Sequence, residues 1–367
     1  MQTLSLSRVL RSYGLTVTVI CYFEYEAAMV KEFQTTGADV ILLDMNRNSG
    51  SCAVIIRLRK EIRQINPDVV HVQYMAPGAL PIIAARLAGV KRVFATVHQP
   101  YTSSHSLLAK LILRTASMLT TKFIAVSQNA EKSWFGTSSL FDESKPFKLQ
   151  PRHFTIHNAI DTDKINKIFS EISVTKLKSE LAISAGIHVI GAVSRLRHEK
   201  GIDILLEAFN LLIRSGVKAH LLVVGSGPDE RRLKATVLTY RLDSSVTFSG
   251  EAEWERAMRL MTLMDIVVVP SRFEGFGLTA AEAMAMGKPV IASDTSGLKE
   301  VVVNSETGIL FHVDEVTALK EAMQMLIRDP QLRETFGAAG KERAQANFTI
   351  NIYRIKTRVL YGIRSRN

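Results

Sequence analysis

Cysteine is almost missing from this chain. Cys21 and Cys52 are the only two among 367 residues, which gives neither a disulfide framework nor metal-ligand spacing. The fold must rest on its core, and a reducing, cytoplasmic setting is expected. Long apolar runs are missing as well. No uncharged stretch reaches the ~18 residues that span a bilayer, and no secretory leader is recognisable ahead of the first element, so a soluble or peripheral chain is expected. Aromatic residues amount to 7% and follow no base-stacking pattern, which leaves charge as the sole argument for a nucleic-acid partner, and none is expected. Clusters of His, Cys and carboxylate with metal spacing are absent, so neither a metal nor another cofactor is called for. Internal repeats and low-complexity tracts are absent too.

What is present is length and apolar content: 47% apolar residues supply two cores, and two α/β domains are expected. Short β-rich runs alternate with helical patterns throughout, as βαβ units built into parallel sheets require. Strands are expected at Leu15–Tyr22, Val40–Leu43, Val69–Val72, Val93–Val97, Phe123–Val126, Ile190–Val193, His220–Val224, Ile266–Pro270, Val290–Ser293 and Ile309–Phe311. Most are apolar, hence buried on both faces. Phe135–Lys148 is polar and interrupted by Pro146, and reads as a surface loop. The helical stretch Lys164–Leu181 marks residues 160–185 as a hinge. It divides a first domain, 1–165, from a second, 166–347, with a last segment, 348–367.

The chain opens on a helical pattern, Leu6, Val9, Leu10 and Tyr13, with no strand before it. A doubly wound sheet places its first strand centrally, so the neighbours of a missing one would lack ladder partners. An N-terminally shortened sequence is the expectation.

Charge is uneven. The formal net charge is +11, and residues 1–170 carry 20 Lys/Arg against 12 Asp/Glu, the remainder 26 against 23. The basic half points to anionic surroundings such as lipid head groups or phosphorylated ligands, or to a solubilising surface. Ser106–Thr121 is amphipathic, with Leu107, Leu108, Leu111, Ile112, Thr115, Met118 and Leu119 on one face and Lys110, Arg114, Ser117 and Thr121 on the other. A core-facing helix with a solvated basic side is the favoured reading; rest on an anionic membrane surface is the other.

Chemistry concentrates in two stretches. In Pro270-Ser271-Arg272-Phe273-Glu274-Gly275-Phe276-Gly277-Leu278-Thr279-Ala280-Ala281-Glu282, a strand runs into a glycine loop and a short helix. Gly275 and Gly277 let the backbone approach a ligand, and amides beside a helix N-terminus cradle an anion. The plainer alternatives are a capping box over Thr279–Glu282 and a solvated carboxylate at Glu274. In Val193-Ser194-Arg195-Leu196-Arg197-His198-Glu199-Lys200-Gly201, a buried strand opens into the helix Ile202–Ile213, where an open α/β sheet holds phosphates. Here the alternative is an exposed basic turn, with Arg197 peripheral in either case. Gly225-Ser226-Gly227-Pro228 is not a dinucleotide fingerprint, because Glu230 replaces its third glycine and Pro228 interrupts it. A nicotinamide oxidoreductase is set aside on that ground.

These residues resemble the large retaining glycosyltransferase family 4, the glycogen-synthase and mannosyltransferase-like group with the GT-B fold. The resemblance runs from about Leu6 to the chain end and is most specific in the second half. It implies two facing Rossmann-like domains with parallel sheets, the last helix packing back on the first domain. The family marks its donor site with two glutamates separated by seven residues, matched by Glu274 and Glu282. The first lies by the donor sugar's hydroxyls, the amides of Gly275, Phe276, Gly277 and Leu278 follow it, and the second binds the ribose. Arg195 and Lys200 match the basic pair on the diphosphate, Gly225 and Gly227 the turn lining the nucleotide pocket. His98, in Thr96-Val97-His98-Gln99-Pro100-Tyr101, matches a histidine near the donor sugar; Ser127 and Asn158 match recurrent positions that also read as turn caps.

The resemblance further implies a metal-independent transfer from a UDP- or GDP-sugar to a glycan or lipid-linked acceptor, in surface polysaccharide or glycolipid synthesis. It departs at the start, because the family opens with a strand and a paired-glycine loop not seen here. That departure keeps open a second reading, a nucleotide-sugar binder without turnover.

Overall fold

The computed structural model describes residues 2–74, 79–102 and 105–363. The chain forms two compact units: residues 1–159 with 350–367, and residues 160–349. The first contains strands β1 (Thr18–Cys21), β2 (Asp39–Leu42), β3 (Val69–Tyr74), β4 (Arg92–Val97), β5 (Lys122–Ala125) and β6 (His153–Thr155). All its ladders are parallel, in the orders β1-β2 and β3-β4-β5-β6. Among the described residues β1 and β3 share no ladder, so this sheet stands in two pieces.

The second unit contains β7 (His188–Val193), β8 (Ala219–Val224), β9 (Val246–Phe248), β10 (Ile266–Val269), β11 (Val290–Ser293) and β12 (Gly308–Phe311). Its sheet has the order β12-β11-β10-β7-β8-β9, parallel throughout. Read in chain order this is the 3-2-1-4-5-6 pattern of a doubly wound Rossmann-like sheet, whose switch point lies between β7 and β10. Every residue of β8 and β10 is buried, because helices cover both faces. The helix Ile202–Arg214 shows how the pattern becomes packing: Ile202, Leu205, Leu206, Phe209 and Leu212 recur at helical spacing and are all buried. They join Leu221, Val223 and Ile266 in one core, each such side chain contributing roughly 1.5–3 kcal/mol by leaving water.

All ten expected strands are present, while β6 and β9 escape sequence reading because three residues show no period. The helix expected over Lys164–Leu181 is two, Thr162–Glu171 and Val174–Glu180, since Ile172 is extended and Ser173 caps the second on the Lys176 amide. Phe135–Lys148 is not simply a surface loop: Phe141 is buried and its N–H donates to the Thr155 carbonyl (2.9 Å). The core-facing reading of Ser106–Thr121 is also overturned. In the helix Leu107–Ser117 the buried side is Leu113, Ala116 and Ser117, whereas Leu107, Leu108, Leu111 and Ile112 lie exposed. Ser117 tolerates burial because its hydroxyl donates to the Arg114 carbonyl (2.7 Å).

The last helix, Ile350–Tyr361, belongs to the first unit. Leu360 and Tyr361 pack with Leu6, Leu10 and Phe94, and Tyr13 Oη donates to the Arg354 carbonyl (3.1 Å). Glu131, fully buried on the helix Gln128–Phe135, ties that helix to β6 by accepting from His153 Nδ1 (2.6 Å), Thr155 Oγ1 (2.7 Å) and the Ser139 N–H (3.1 Å). Removing this acceptor leaves buried donors unpaired. Glu131→Ala is expected to lower stability by about 3 kcal/mol in urea unfolding, and Glu131→Gln by clearly less; equal losses would contradict this account.

Candidate active site

The two motif loops meet where the sheet order reverses. β7 leads into Ser194–Lys200, and its neighbour β10 leads into Pro270–Gly277. Lys200 Nζ lies 2.5 Å from Glu274 Oε2, and both side chains are about three-quarters buried. Glu274 is held further by the Ser271 hydroxyl (3.5 Å) and by the Gly275 N–H to Oε1 (3.2 Å). Arg195 is exposed, and its guanidinium has no hydrogen-bond or ion-pair partner among the described residues. Arg197 is exposed beside it.

Arg272 braces the two loops. Its guanidinium grips Asp203 through two bonds of 3.0 Å, reaches Asp314 at 2.9 Å and donates to the His198 carbonyl at 2.5 Å. Burial alone would raise the Asp203 carboxyl, but the Arg272 bonds and charge outweigh it and hold it below the usual range. Backbone contact does the rest. Gly201 has φ +65°, and a Cβ there would stand 2.0 Å from the Pro270 carbonyl oxygen. Gly225 has φ +130°, and a Cβ would stand equally close to the Ser194 carbonyl oxygen. Only glycine permits both approaches. The loop after β8 is thereby laced to the Arg195 loop, Leu196 N–H donating to the Ser226 carbonyl (2.8 Å) beside Gly227.

The helix Leu278–Ala285 begins at Gly277, and Phe276 is buried with its ring against Phe348, so only backbone at these positions can meet a ligand. Leu278 is half-buried. The capping-box alternative is not realised: Thr279 Oγ1 donates to the Val193 carbonyl (3.3 Å), and Glu282 Oε1 accepts from Trp254 Nε1 (2.7 Å). Glu282 is 8% exposed, and burial pushes its carboxyl up to about 7 against the pull of that bond. Ser194 and Ser293, at the ends of β7 and β11, bury hydroxyls with no partner among the described residues.

The first unit has a small polar cavity of its own at the ends of β3 to β5. Gln73, Thr96, His98 and Asn158 line it together with His71 and Gln2. At about 20 Å³ it has room for one water. His98 Nε2 lies 2.8 Å from Gln73 Oε1. Since that oxygen can only accept, Nε2 carries the proton and Nδ1 is left as an acceptor. Burial lowers His98 to about 4 and His71 to about 3, so both rings are neutral at pH 7. Ser127 is not brought into this cluster: it is fully buried, and its Oγ caps the helix Gln128–Phe135 on the Ala130 N–H (3.1 Å).

Among the described residues no three His, Cys, Asp or Glu side chains converge as metal ligands. The one Asp-x-Asp triplet, Asp161-Thr162-Asp163, places Asp161 as a helix cap accepting from the Lys164 N–H (3.1 Å). No helix among the described residues is long and apolar enough to cross a membrane.

Comparison with known proteins now decides the family. The model described as Glycosyltransferase Family 4 matches residues 1–164, and that described as Glycosyl transferases group 1 matches residues 173–343. The GDP-mannose-dependent monoacylated alpha-(1-6)-phosphatidylinositol monomannoside mannosyltransferase of Corynebacterium glutamicum is 31% identical over 303 residues, 79% of this chain and 75% of that one. The chain belongs to glycosyltransferase family 4. A glycosyltransferase from Rickettsia africae superposes with a TM-score of 0.78 at 21% identity, covering 99% of this chain and 93% of its own. Anabaena HepE in complex with UDP and glucose gives 0.77 at 20%, covering 99% and 95%. The fold of this glycosyltransferase is therefore GT-B.

Reading the glycosyltransferase by sequence misses Arg272, Asp203, Trp254, His71 and Gln73. The last two carry a signal. In Val70-His71-Val72-Gln73 polar residues alternate with apolar ones, and the register pairs Gln73 with Thr96, so one face of two neighbouring strands becomes polar. Nothing local announces that Trp254 would reach Glu282. Arg272→Ala leaves Asp203 short of its main partner and frees the two loops. The expected outcome is a loss of about 2–3 kcal/mol by thermal or urea unfolding; an unchanged midpoint would show that the brace carries nothing.

Proposed function

We propose that this glycosyltransferase transfers a sugar from a UDP- or GDP-sugar to a glycan or lipid-linked acceptor, with retention at the anomeric carbon and without a metal ion. The observation that carries the reading is the meeting of Lys200 and Glu274 at the switch point, with Arg195 exposed and unpartnered on the same loop as Lys200. An unpaired guanidinium and an ammonium at the amino end of the helix Ile202–Arg214 suit a diphosphate, the fork binding two oxygens and the ammonium acting as a point charge. HepE, with UDP and glucose bound, and the GDP-mannose-dependent relative support a nucleotide-sugar donor, and the relative's phosphatidylinositol mannoside supports a lipid-linked acceptor.

Bond cleavage at the anomeric carbon builds positive charge on the ring and negative charge on the departing diphosphate. Arg195, Lys200 and the helix dipole stabilise the second. Glu274, with the amides of Gly275 to Leu278, receives the sugar hydroxyls, and Glu282 receives the ribose. Gly225 and Gly227 line the nucleotide. Neutral His98, oriented by Gln73, offers Nδ1 to the donor sugar, with Asn158 beside it and Ser127 acting through its cap. The acceptor hydroxyl attacks from the face that the phosphate leaves, and a phosphate oxygen takes its proton. No protein nucleophile is assigned.

A second reading, donor binding without turnover, is favoured by the interrupted sheet of the first unit. Thermal-shift titration with UDP- and GDP-sugars, followed by product analysis, separates the two: stabilisation with transfer or slow hydrolysis supports the enzyme, stabilisation alone the binder. Arg195→Gln and Lys200→Gln should each weaken the stabilising donor about 10- to 100-fold; undiminished affinity in the double variant would refute the diphosphate assignment. Glu282 supplies a pH test. Ribose hydroxyls donate to its ionised form and lower its pKa in the complex. Affinity for an intact nucleotide sugar should therefore rise as pH increases from 5.5 and level off near 7, where the free carboxyl titrates. The dependence should flatten in Glu282→Gln, and a wild-type affinity that falls over this range would contradict the ribose role.

A further inference from the structure

The helix Leu107–Ser117 carries two apolar stripes, and the first unit uses only one. Leu113 and Ala116 face the core, whereas Leu107 is 79% exposed, Leu108 64%, Leu111 60% and Met118 63%. A surface helix normally turns its single apolar stripe inward, and a contiguous apolar patch in water marks an interaction site. The charge in this stretch of the chain is of one sign. Lys110 and Arg114 flank it on the helix, and no acidic residue occurs anywhere between Asp68 and Glu131. Arg152 and Arg86 are fixed at the helix's far end through the carbonyls of Met118 and Leu119 (2.7 and 2.5 Å).

From this geometry we infer that Leu107–Leu119 is a docking surface for an anionic lipid bilayer. The helix lies in the plane of the head groups with Leu107, Leu108, Leu111 and Met118 in the acyl boundary, and Lys110 and Arg114 meet lipid phosphates. Apolar burial plus attraction to acidic lipid is the binding mode of interfacial helices. Charge argues against a second copy as the occupant, because pairing this face with itself opposes cations and offers them no carboxylate. The inference stands independently of the donor assignments, since none of these residues belongs to the proposed sugar site.

The test is co-sedimentation of the full chain with vesicles of neutral phosphatidylcholine alone or mixed with about one-third phosphatidylglycerol. Binding is expected to the mixed vesicles and to fall steeply in 0.5 M salt, about thirtyfold weaker for Lys110→Gln/Arg114→Gln. Leu107→Gln/Leu111→Gln, at positions already in water, should abolish it while leaving the unfolding midpoint and donor binding unchanged. Failure to sediment with acidic vesicles overturns the inference, as does wild-type sedimentation by both variants. A dimer in sedimentation equilibrium that depends on Leu107 and Leu111, without lipid binding, assigns the face to a second copy and overturns it too.

Discussion

Two neighbouring strands have to hold a lysine against a glutamate 74 residues away in the chain, and the second unit of this protein is arranged around that demand. An ion pair of this kind, about three-quarters buried, is neither fully screened nor fully desolvated, and its net worth is on the order of 1 kcal/mol. What matters is that each partner remains available for exchange. A diphosphate arriving at Lys200 competes with Glu274, and the carboxylate so released is set free to meet sugar hydroxyls, which couples recognition of the leaving group to recognition of the ring in the proposed reaction. Such exchange needs loops that do not drift, and Arg272 supplies this by holding Asp203, Asp314 and the His198 carbonyl together. Gly201 and Gly225 let backbones touch where a side chain would force them apart.

The buried carboxyl of Glu282 illustrates a cost accepted at the same place. Its pKa near 7 lies above the ordinary value, so the folded state holds a proton that the unfolded chain gives up. That arrangement lowers stability as pH rises from about 4.5 through 7, the opposite sign to a paired carboxylate such as Asp203, whose depressed pKa stabilises the fold above the ordinary value and loses that contribution in acid. His71 and His98 behave like Asp203 in this respect, because neutral burial contributes stability that is lost as pH falls below about 6.5.

Legibility differed between the two units for a physical reason. In the second, the groups proposed to meet the donor lie in contiguous stretches after β7 and β10, so strand, glycine loop and helix could be read in line. In the first, the polar cavity is assembled across β3 and β4, with Gln73 and His98 25 residues apart, and only a register supplies the pairing. The helix Leu107–Ser117 is the plainest misreading. Periodicity revealed an apolar stripe from Leu107 to Leu119, but a second one through Leu113 and Ala116 was equally available, and which of them is buried depends on what the neighbouring elements offer.

By itself the sequence determined the alternation of strand and helix, the parallel and buried character of the sheets, the family, and the loops where function was to be sought. These are properties of short windows, in which side-chain period, glycine placement and strand apolarity act locally. Tertiary structure alone decided that Glu274 faces Lys200, that Glu282 bonds Trp254 instead of closing its helix, that burial keeps His98 neutral while Gln73 orients its ring, and that a leucine stripe is left in water. Those outcomes follow from strand order and register, which bring together residues that no window of the chain contains at once.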